Sequence, residues 1–333
     1  MTKENPEVWV FVEEINSQIK PVSLELLGIG KKLATDLETK LGAILIGYRI
    51  KNLASELFSY GAEKVYLVEH PVLSYYRHEP FRDTLAYLAF KYKPDILLVP
   101  ATPLGRDLAG GVATCLETGL TADVTELAID KEKRLLLVTR PAYSGNLMAT
   151  IICPEHRPQI TTVRPRVFSI PEKRKQAKGE LIEEKIDLKE ENLRTQRIGF
   201  IPKERVVNLE YAEVIVAGGK GVGGKEGFSL LQELAKLLNG EVGASRLAVS
   251  AGWISHEHQV GQTGKTVRPK VYLAFGISGK IQHRVGMQNS DLIIAVNKDP
   301  SAEIFQIADL GIVGDWKKVC VALIEKIKRE RKP

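Results

Sequence analysis

Apolar residues in the first hundred positions fall into short blocks separated by amphipathic stretches. VWVFVEE (8–14), AILIGY (43–48), KVYLVE (64–69) and DILLVP (95–100) are rich in Val, Ile and Leu and have strand length. Between them, 22–40, 51–60 and 80–92 carry apolar residues at helical spacing. This alternation predicts a parallel sheet with helices on both faces. A further helix begins near Gly105 and runs through LAGGVATCLETG. Beyond Thr121 the texture changes. ADVTELAID, RLLLVTRPAY, NLMATIIC and PQITTVRPRVF read as consecutive strands joined by turns, added antiparallel at the sheet edge.

The stretch 171–205 is strongly charged and has too few large apolar residues for a core of its own. It reads as a linker with one extended strand, dividing an N-terminal domain (1–205) from a C-terminal one (206–333). The second half then repeats the first pattern. Strands are expected at 212–219, 270–276, 291–297 and 310–315. Helices are expected at 226–240, where Phe228, Leu231, Leu234, Ala235 and Leu238 share one face, and at 316–330. The expected fold class is α/β, with two doubly wound, mainly parallel, Rossmann-like domains.

A length of 333 residues suits two cores better than one. The hydrophobic fraction of 44% describes an ordinary globular chain, and no apolar run approaches the roughly 20 residues that span a bilayer. The first residues lack a basic stretch followed by an apolar one, so a cytoplasmic location without direct membrane insertion is expected. Cys115, Cys153 and Cys320 are scattered and form no C-x-x-C pair, which argues for reduced core thiols over disulfides. His256 and His258 lack further ligands nearby in sequence, so no metal is expected. The net charge of +6 is concentrated at 173–178 and 326–332. Interleaved Glu and the absence of aromatic partners make these solvated faces, not nucleic-acid contacts.

Candidate chemistry concentrates between Gly243 and Asp315, where glycines stand beside polar residues, in three places directly after an apolar run. That is the layout of loops at the carboxyl ends of parallel strands, where open α/β sheets hold ligands. Gly219-Lys220-Gly221-Val222-Gly223-Gly224 fits G-x-G-x-x-G, but Glu241 begins a strand instead of ending one, which weakens an NAD reading. Arg246 stands among small residues, where a charge calls for an anion or an electron-rich ring. Thr263 and Lys265 sit on a glycine-flanked turn without P-loop spacing. Ser278 and Gly279 offer a nest of amides for a phosphate, and His283 follows one turn into the next helix. Asn297 and Asp315 end strands and suit either hydroxyl recognition or turn chemistry.

Taken together, GGKGVGG, VGASR, VGQTGK, GISGKIQH, VNKDP and GIVGD closely resemble the FAD-binding domain of the electron transfer flavoprotein alpha subunit, in that order over about 206–330. The blocks PATPLGRDLAGGVATCLETGLTADVT and RPAYSGNLMATIICPEHRPQITTVRPRVF also look like that family's N-terminal domain. The resemblance implies one FAD in the second domain, lined by Lys220, Ser245, Arg246, Val260, Gly261, Gln262, Thr263, Ser278, Gly279, Lys280, Ile281, Gln282, His283, Asn297, Asp315 and Trp316. Lys220 departs from the Arg of many relatives, keeping the charge but losing the planar fork. By position, Arg246 would lie over the isoalloxazine near N5, Thr263 would bond around N5 and C4=O, and His283 would approach N1 and C2=O, tuning the flavin's potential. The resemblance further implies a heterodimer with a beta subunit, and an electron carrier between a dehydrogenase of acyl-CoA type or an NADH-linked partner and a quinone oxidoreductase or ferredoxin. TGLTADVT and SGNLMAT are similar to the electron-bifurcating branch, in which the partner subunit holds a second FAD and NAD; elsewhere AMP takes the second nucleotide's place. The alternatives are an NAD-dependent oxidoreductase and a nucleotide-binding regulatory module.

Overall fold

The computed structural model describes residues 6–142, 147–175, 177–199 and 207–330. The chain divides into two compact units, 1–200 and 201–333.

The first unit is built on β1 (Val8–Phe11), followed by a small hairpin of β2 (Glu14–Ile15) and β3 (Gln18–Ile19). Helix α1 (Pro21–Asp36), β4 (Leu41–Gly47), α2 (Ala54–Ser59), β5 (Lys64–Glu69), α3 (His78–Tyr92) and β6 (Ile96–Pro100) continue the expected alternation. Helix α4 (Pro103–Cys115) starts earlier than the sequence suggests. Pro103 suits a first helical position, and the Thr102 hydroxyl accepts from the Gly105 amide at 3.0 Å as the cap.

Successive side chains from β1 onward enter alternate cores, with the period of a strand. Val8, Val10 and Val12 enter one core, Trp9 and Phe11 the other. Both faces are therefore apolar, as a parallel sheet covered by helices requires.

After α4 come β7 (Leu120–Val124), β8 (Glu126–Asp130), β9 (Leu135–Ala142), β10 (Leu147–Ile151), β11 (Gln159–Val163) and β12 (Glu180–Glu184). The main sheet has seven strands, all parallel, in the order β12-β5-β4-β1-β6-β11-β7. The expectation of antiparallel edge additions is corrected here. Of the strands after α4, β8, β9 and β10 pair antiparallel, and they form a separate three-stranded sheet. β11 lies inside the main sheet, and all five of its residues are buried. Its polar side chains are satisfied internally: Thr161 donates to the Thr121 carbonyl, and Gln159 accepts from the Leu136 amide. Thr, Gln and Val in alternation imitate a half-exposed strand, so the pattern alone gave no sign of two-sided burial.

The charged stretch is docked, not free. β12 extends the sheet beside β5, held by the Lys51–Glu183 and Lys91–Glu184 ion pairs. Farther on, Arg77 pairs with Glu190 and the Arg194 amide bonds to Glu79. The stretch 200–206, where the domain boundary was expected, lies outside the described residues.

The second unit contains β13 (Val214–Gly218), α5 (Lys225–Leu237), β14 (Glu241–Ala244), α6 (Arg246–Ser250), β15 (Val271–Phe275), α7 (Ile281–Arg284), β16 (Ile293–Asn297), β17 (Leu310–Val313) and α8 (Trp316–Glu330). Its five parallel strands run in the order β14-β13-β15-β16-β17. The order reverses between β13 and β15, so the ligand crevice of an open sheet falls at the carboxyl ends of these two strands. Among the described residues, no helix is long and apolar enough to cross a membrane.

Glu25 on α1 is 5% exposed and accepts from the Arg166 amide at 2.6 Å. Burial outweighs that bond and raises its pKa to about 7. The folded state therefore holds the proton more tightly than the unfolded chain. This contribution is intact below the ordinary carboxylate range and is lost as pH rises through about 7. Glu25→Gln keeps an acceptor and removes the charge. It should raise stability above pH 7 by on the order of 2–3 kcal/mol and make little difference at pH 4.5, as read by urea unfolding at the two pH values. An equal effect at both would contradict this account.

Candidate functional site

The loops after β13, β14, β15 and β16 converge on one cavity of about 550 Å³ at the carboxyl edge of the second sheet. This lies within the ~300–1,000 Å³ typical of ligand sites. Their convergence depends on main chains that nearly touch. A Cβ on Gly219 would sit 2.2 Å from the Gly276 carbonyl oxygen, and Gly276 itself has a φ of +60°. The G-x-G-x-x-G segment thus packs one loop against another: Lys220–Val222 form a 3-10 turn, and the Gly221 amide donates to the Gly276 carbonyl. Glu241, the acidic residue a ribose would need, opens β14 at the strand end opposite the cavity.

The VGQTGK segment extends the sheet beyond β14. Gln259 pairs with Ala244, and the Val260 amide donates to the Ala244 carbonyl. The loop closes on itself through Gly261 to Lys265 and Gly264 to Gly261 backbone bonds. It also presses on α7, where the Gln262 amide donates to the Gln282 carbonyl at 2.7 Å. Gly261 has a φ of +138°, and a Cβ on Gly286 would meet the Gly261 nitrogen at 2.4 Å. Buried Gln259 donates its side-chain amide to the Thr263 Oγ1 at 2.9 Å. The Thr263 hydroxyl hydrogen is thereby left to point elsewhere.

Twelve of the sequence candidates line this cavity: Lys220, Ser245, Arg246, Val260, Gly261, Gln262, Thr263, Ser278, Lys280, Gln282, His283 and Asn297. Gly279 and Ile281 belong to the same loops without lining it. Asp315 and Trp316 border a different cavity of about 530 Å³, beside Gly223–Gly227 at the start of α5. Asp315 accepts from the Lys317 amide at 2.8 Å, capping α8. The Asn297 amide is engaged in turn chemistry, donating to the Ile277 carbonyl and accepting from the Asp299 amide. Leu247, Gln259, Gly276, Ile277 and Asp299 also line the cavity and were not singled out in the sequence. Gln259 stands four residues before Thr263, and only the fold of the turn reveals that they bond.

The cavity's electrostatics favour an anion. Arg246, exposed in the first turn of α6, has no carboxylate partner among the described residues, nor does Lys220, whereas Lys280 pairs with Glu303. The amides of Ser278, Gly279 and Lys280 make no backbone hydrogen bond among the described residues. Three consecutive donors of this kind suit a phosphate.

His283 is 7% exposed, with Nε2 3.0 Å from the Tyr272 hydroxyl and Nδ1 buried without a partner among the described residues. Burial lowers its pKa to about 4 against a weaker opposing pull from the Val260 backbone. The ring is neutral at neutral pH, so it can donate one proton but brings no positive charge. Unpaired cations and amides without backbone acceptors among the described residues suit the diphosphate of a nucleotide cofactor.

A doubly wound sheet carrying such a cavity at its switch point defines a cofactor-binding protein of nucleotide type. The electron transfer flavoprotein domain model matches residues 8–188, and the electron transfer flavoprotein FAD-binding domain model matches residues 208–288. The chain is 51% identical over 324 residues to the electron transfer flavoprotein subunit alpha of Thermoanaerobacterium thermosaccharolyticum, covering 97% of this chain and 98% of that one. It is 48% identical to the subunit alpha of Megasphaera elsdenii, covering 97% of each, and 46% identical to protein FixB of Azorhizobium caulinodans, covering 99% and 93%. The chain belongs to the electron transfer flavoprotein family, among its alpha subunits and FixB proteins, and its second unit is the family's flavin-binding domain.

Gly286→Ala should force the Gly261 backbone away and destabilise the second unit by on the order of 1–3 kcal/mol, with reduced flavin content. Gly110→Ala, in a helical position where nothing lies within 4 Å of the added carbon, should leave flavin content unchanged and be neutral or stabilising. Denaturant midpoints and flavin-to-protein ratios check both.

Proposed function

We propose that this chain holds one FAD in the cavity at the carboxyl edge of its second sheet and works as the alpha subunit of an electron carrier. The observation that carries this reading is the placement of Arg246, Thr263 and His283, distant in sequence, around one cavity with an unspent amide nest at Ser278–Lys280. When bound, FAD supplies a ring that takes up and releases electrons. Arg246 would hold a fixed positive charge beside that ring, where negative charge develops on reduction. Thr263, oriented by Gln259, would donate its hydroxyl hydrogen to a ring nitrogen or carbonyl. The neutral imidazole of His283 would donate a single hydrogen to a carbonyl. Lys220 and the Ser278–Lys280 amides would meet the diphosphate.

Among the described residues, no acid–base pair is arranged beside the cavity for substrate chemistry. Donor and acceptor are therefore assigned to other proteins: a beta subunit as heterodimer partner, a dehydrogenase of acyl-CoA type or an NADH-linked donor, and a quinone oxidoreductase or ferredoxin as acceptor. Any second FAD or AMP, and any NAD, is placed on the partner chain. Counting flavins in the complex purified with its partner separates a single carrier, with one, from a bifurcating assembly, with two.

Arg246→Ala should weaken FAD retention about tenfold or more, the magnitude of a lost charge-assisted contact, and make the flavin midpoint potential more negative. Arg246→Lys, which keeps the charge without the fork, should fall between. Unchanged FAD content and potential in Arg246→Ala would overturn the assignment.

A further inference from the structure

Lys265 closes the VGQTGK turn without lining the cavity. Its amide donates to the Gln259 carbonyl at 2.8 Å, and its carbonyl accepts from the Gly261 amide at 3.1 Å. Its half-buried side chain reaches out of the turn, where Nζ donates to the Val207 carbonyl at 2.7 Å. The ammonium makes no ion pair among the described residues. Val207 is the first described residue of the second unit, and it shares a buried core with Leu209, Val260 and Val267.

The two halves of the turn are held differently. Backbone bonds from Val260 to Ala244 and from Gln262 to Gln282 secure the first half to β14 and α7. Between Gln262 and Val267, the backbone bonds among the described residues run within the turn itself. Thr263 is exposed there and precedes Gly264, so neither its own packing nor its neighbour restricts it. The Lys265 side chain ties this half to another element. One line of bonds results: Val207 holds Lys265, the Lys265 amide holds the Gln259 main chain, and the Gln259 side-chain amide donates to the Thr263 Oγ1. A charged donor makes a stronger hydrogen bond than a neutral one. Burial of Val207 and Leu209 supplies a rigid anchor, and the ammonium carries that rigidity into the turn.

We propose that Lys265 is a positioning residue for the cofactor site: its ammonium clamps the second half of the VGQTGK turn to the buried segment that begins at Val207, and so fixes where Thr263 meets the ligand. This rests on the reading of the cavity as the flavin site. Without the ammonium, the turn keeps its internal backbone bonds and loses its tie to the core, so Gln259 and Thr263 sample several placements. The coupling is reciprocal, and residues 207–212 loosen as well.

Hydrogen–deuterium exchange of the full-length chain, freed of flavin and then reloaded with FAD, tests this on peptides covering 207–212 and 259–267. Both peptides should be protected in the flavin-free wild type. Rapid exchange of 259–267 there would overturn the proposal, and this measurement does not depend on a variant folding. Lys265→Met keeps the aliphatic stem and removes the donor. Exchange in both peptides should then rise roughly tenfold, the scale of a lost charged hydrogen bond. FAD retention should fall roughly three- to tenfold, with a shifted flavin absorption band. Lys265→Arg should recover most of each effect. Lys270→Met, which removes an exposed lysine paired with Glu213, should change none of them, and an equal effect there would overturn the clamp in favour of a general loss of positive charge. Unchanged exchange in a folded Lys265→Met protein would also overturn it. Faster exchange with unchanged FAD retention and absorption would overturn the positioning role. Faster exchange in Lys265→Met, in a chain whose wild type retains no FAD, would keep the clamp and overturn the flavin role of the cavity.

Discussion

Close approach of main chains at the carboxyl edge of the second sheet is the constraint on which the site depends. Gly219 and Gly221 meet Gly276 between the loops of β13 and β15, while Gly261 meets Gly286 and the Gln282 carbonyl between the VGQTGK turn and α7. These loops follow three separate strands, β13, β14 and β15, and side chains at the contacts would hold them apart. With hydrogen atoms alone in those places, the backbones interlock, and Arg246, Thr263 and His283 come to face one cavity. Flexible charges become a defined rim because their loops are braced by neighbouring backbone, not by their own side chains.

Electrostatics divides the work within this rim. Arg246 and Lys220 are exposed cations with no acidic partner among the described residues, and they suit the charged parts of a cofactor. His283 is buried deeply enough to lose its charge, so its contribution lies in where its hydrogen points. Positive charge remains at the solvent-facing mouth, where ionisation costs little, and a neutral donor sits in the interior, where a charge would be expensive.

The switch-point residues of the first unit bond mainly to one another: Glu13 accepts from Thr102 and pairs with Lys20. The same parallel-sheet construction thus appears twice in this chain, once with its edge filled by its own side chains and once with its edge left open to a ligand. Docking of β12 and the residues after it onto the first unit means that the charged segment up to Gly199 contributes to a fold instead of spanning free solvent.

Much of this architecture was legible from hydrophobic periodicity, because strands buried on both faces appear as short runs of Val, Ile and Leu. β1, β4, β5, β6, β13, β15 and β16 all announce themselves in this way. The order of the glycine-flanked blocks also pointed to the cofactor edge, since loop chemistry is local. Sequence periodicity did not reveal β11's place inside the main sheet, because a polar residue satisfied by distant partners looks like an exposed one. It also could not show that Asp315 borders a second cavity, that Gln259 orients Thr263, or that Tyr272 reaches His283. Those relations join residues through space, and the local sequence pattern does not encode the distance or burial that makes them hydrogen bonds. The sequence by itself determined the elements and the chemical inventory of the edge. Only the tertiary structure decided which side chains share a cavity and which protonation state each adopts, because both depend on what the fold removes from water.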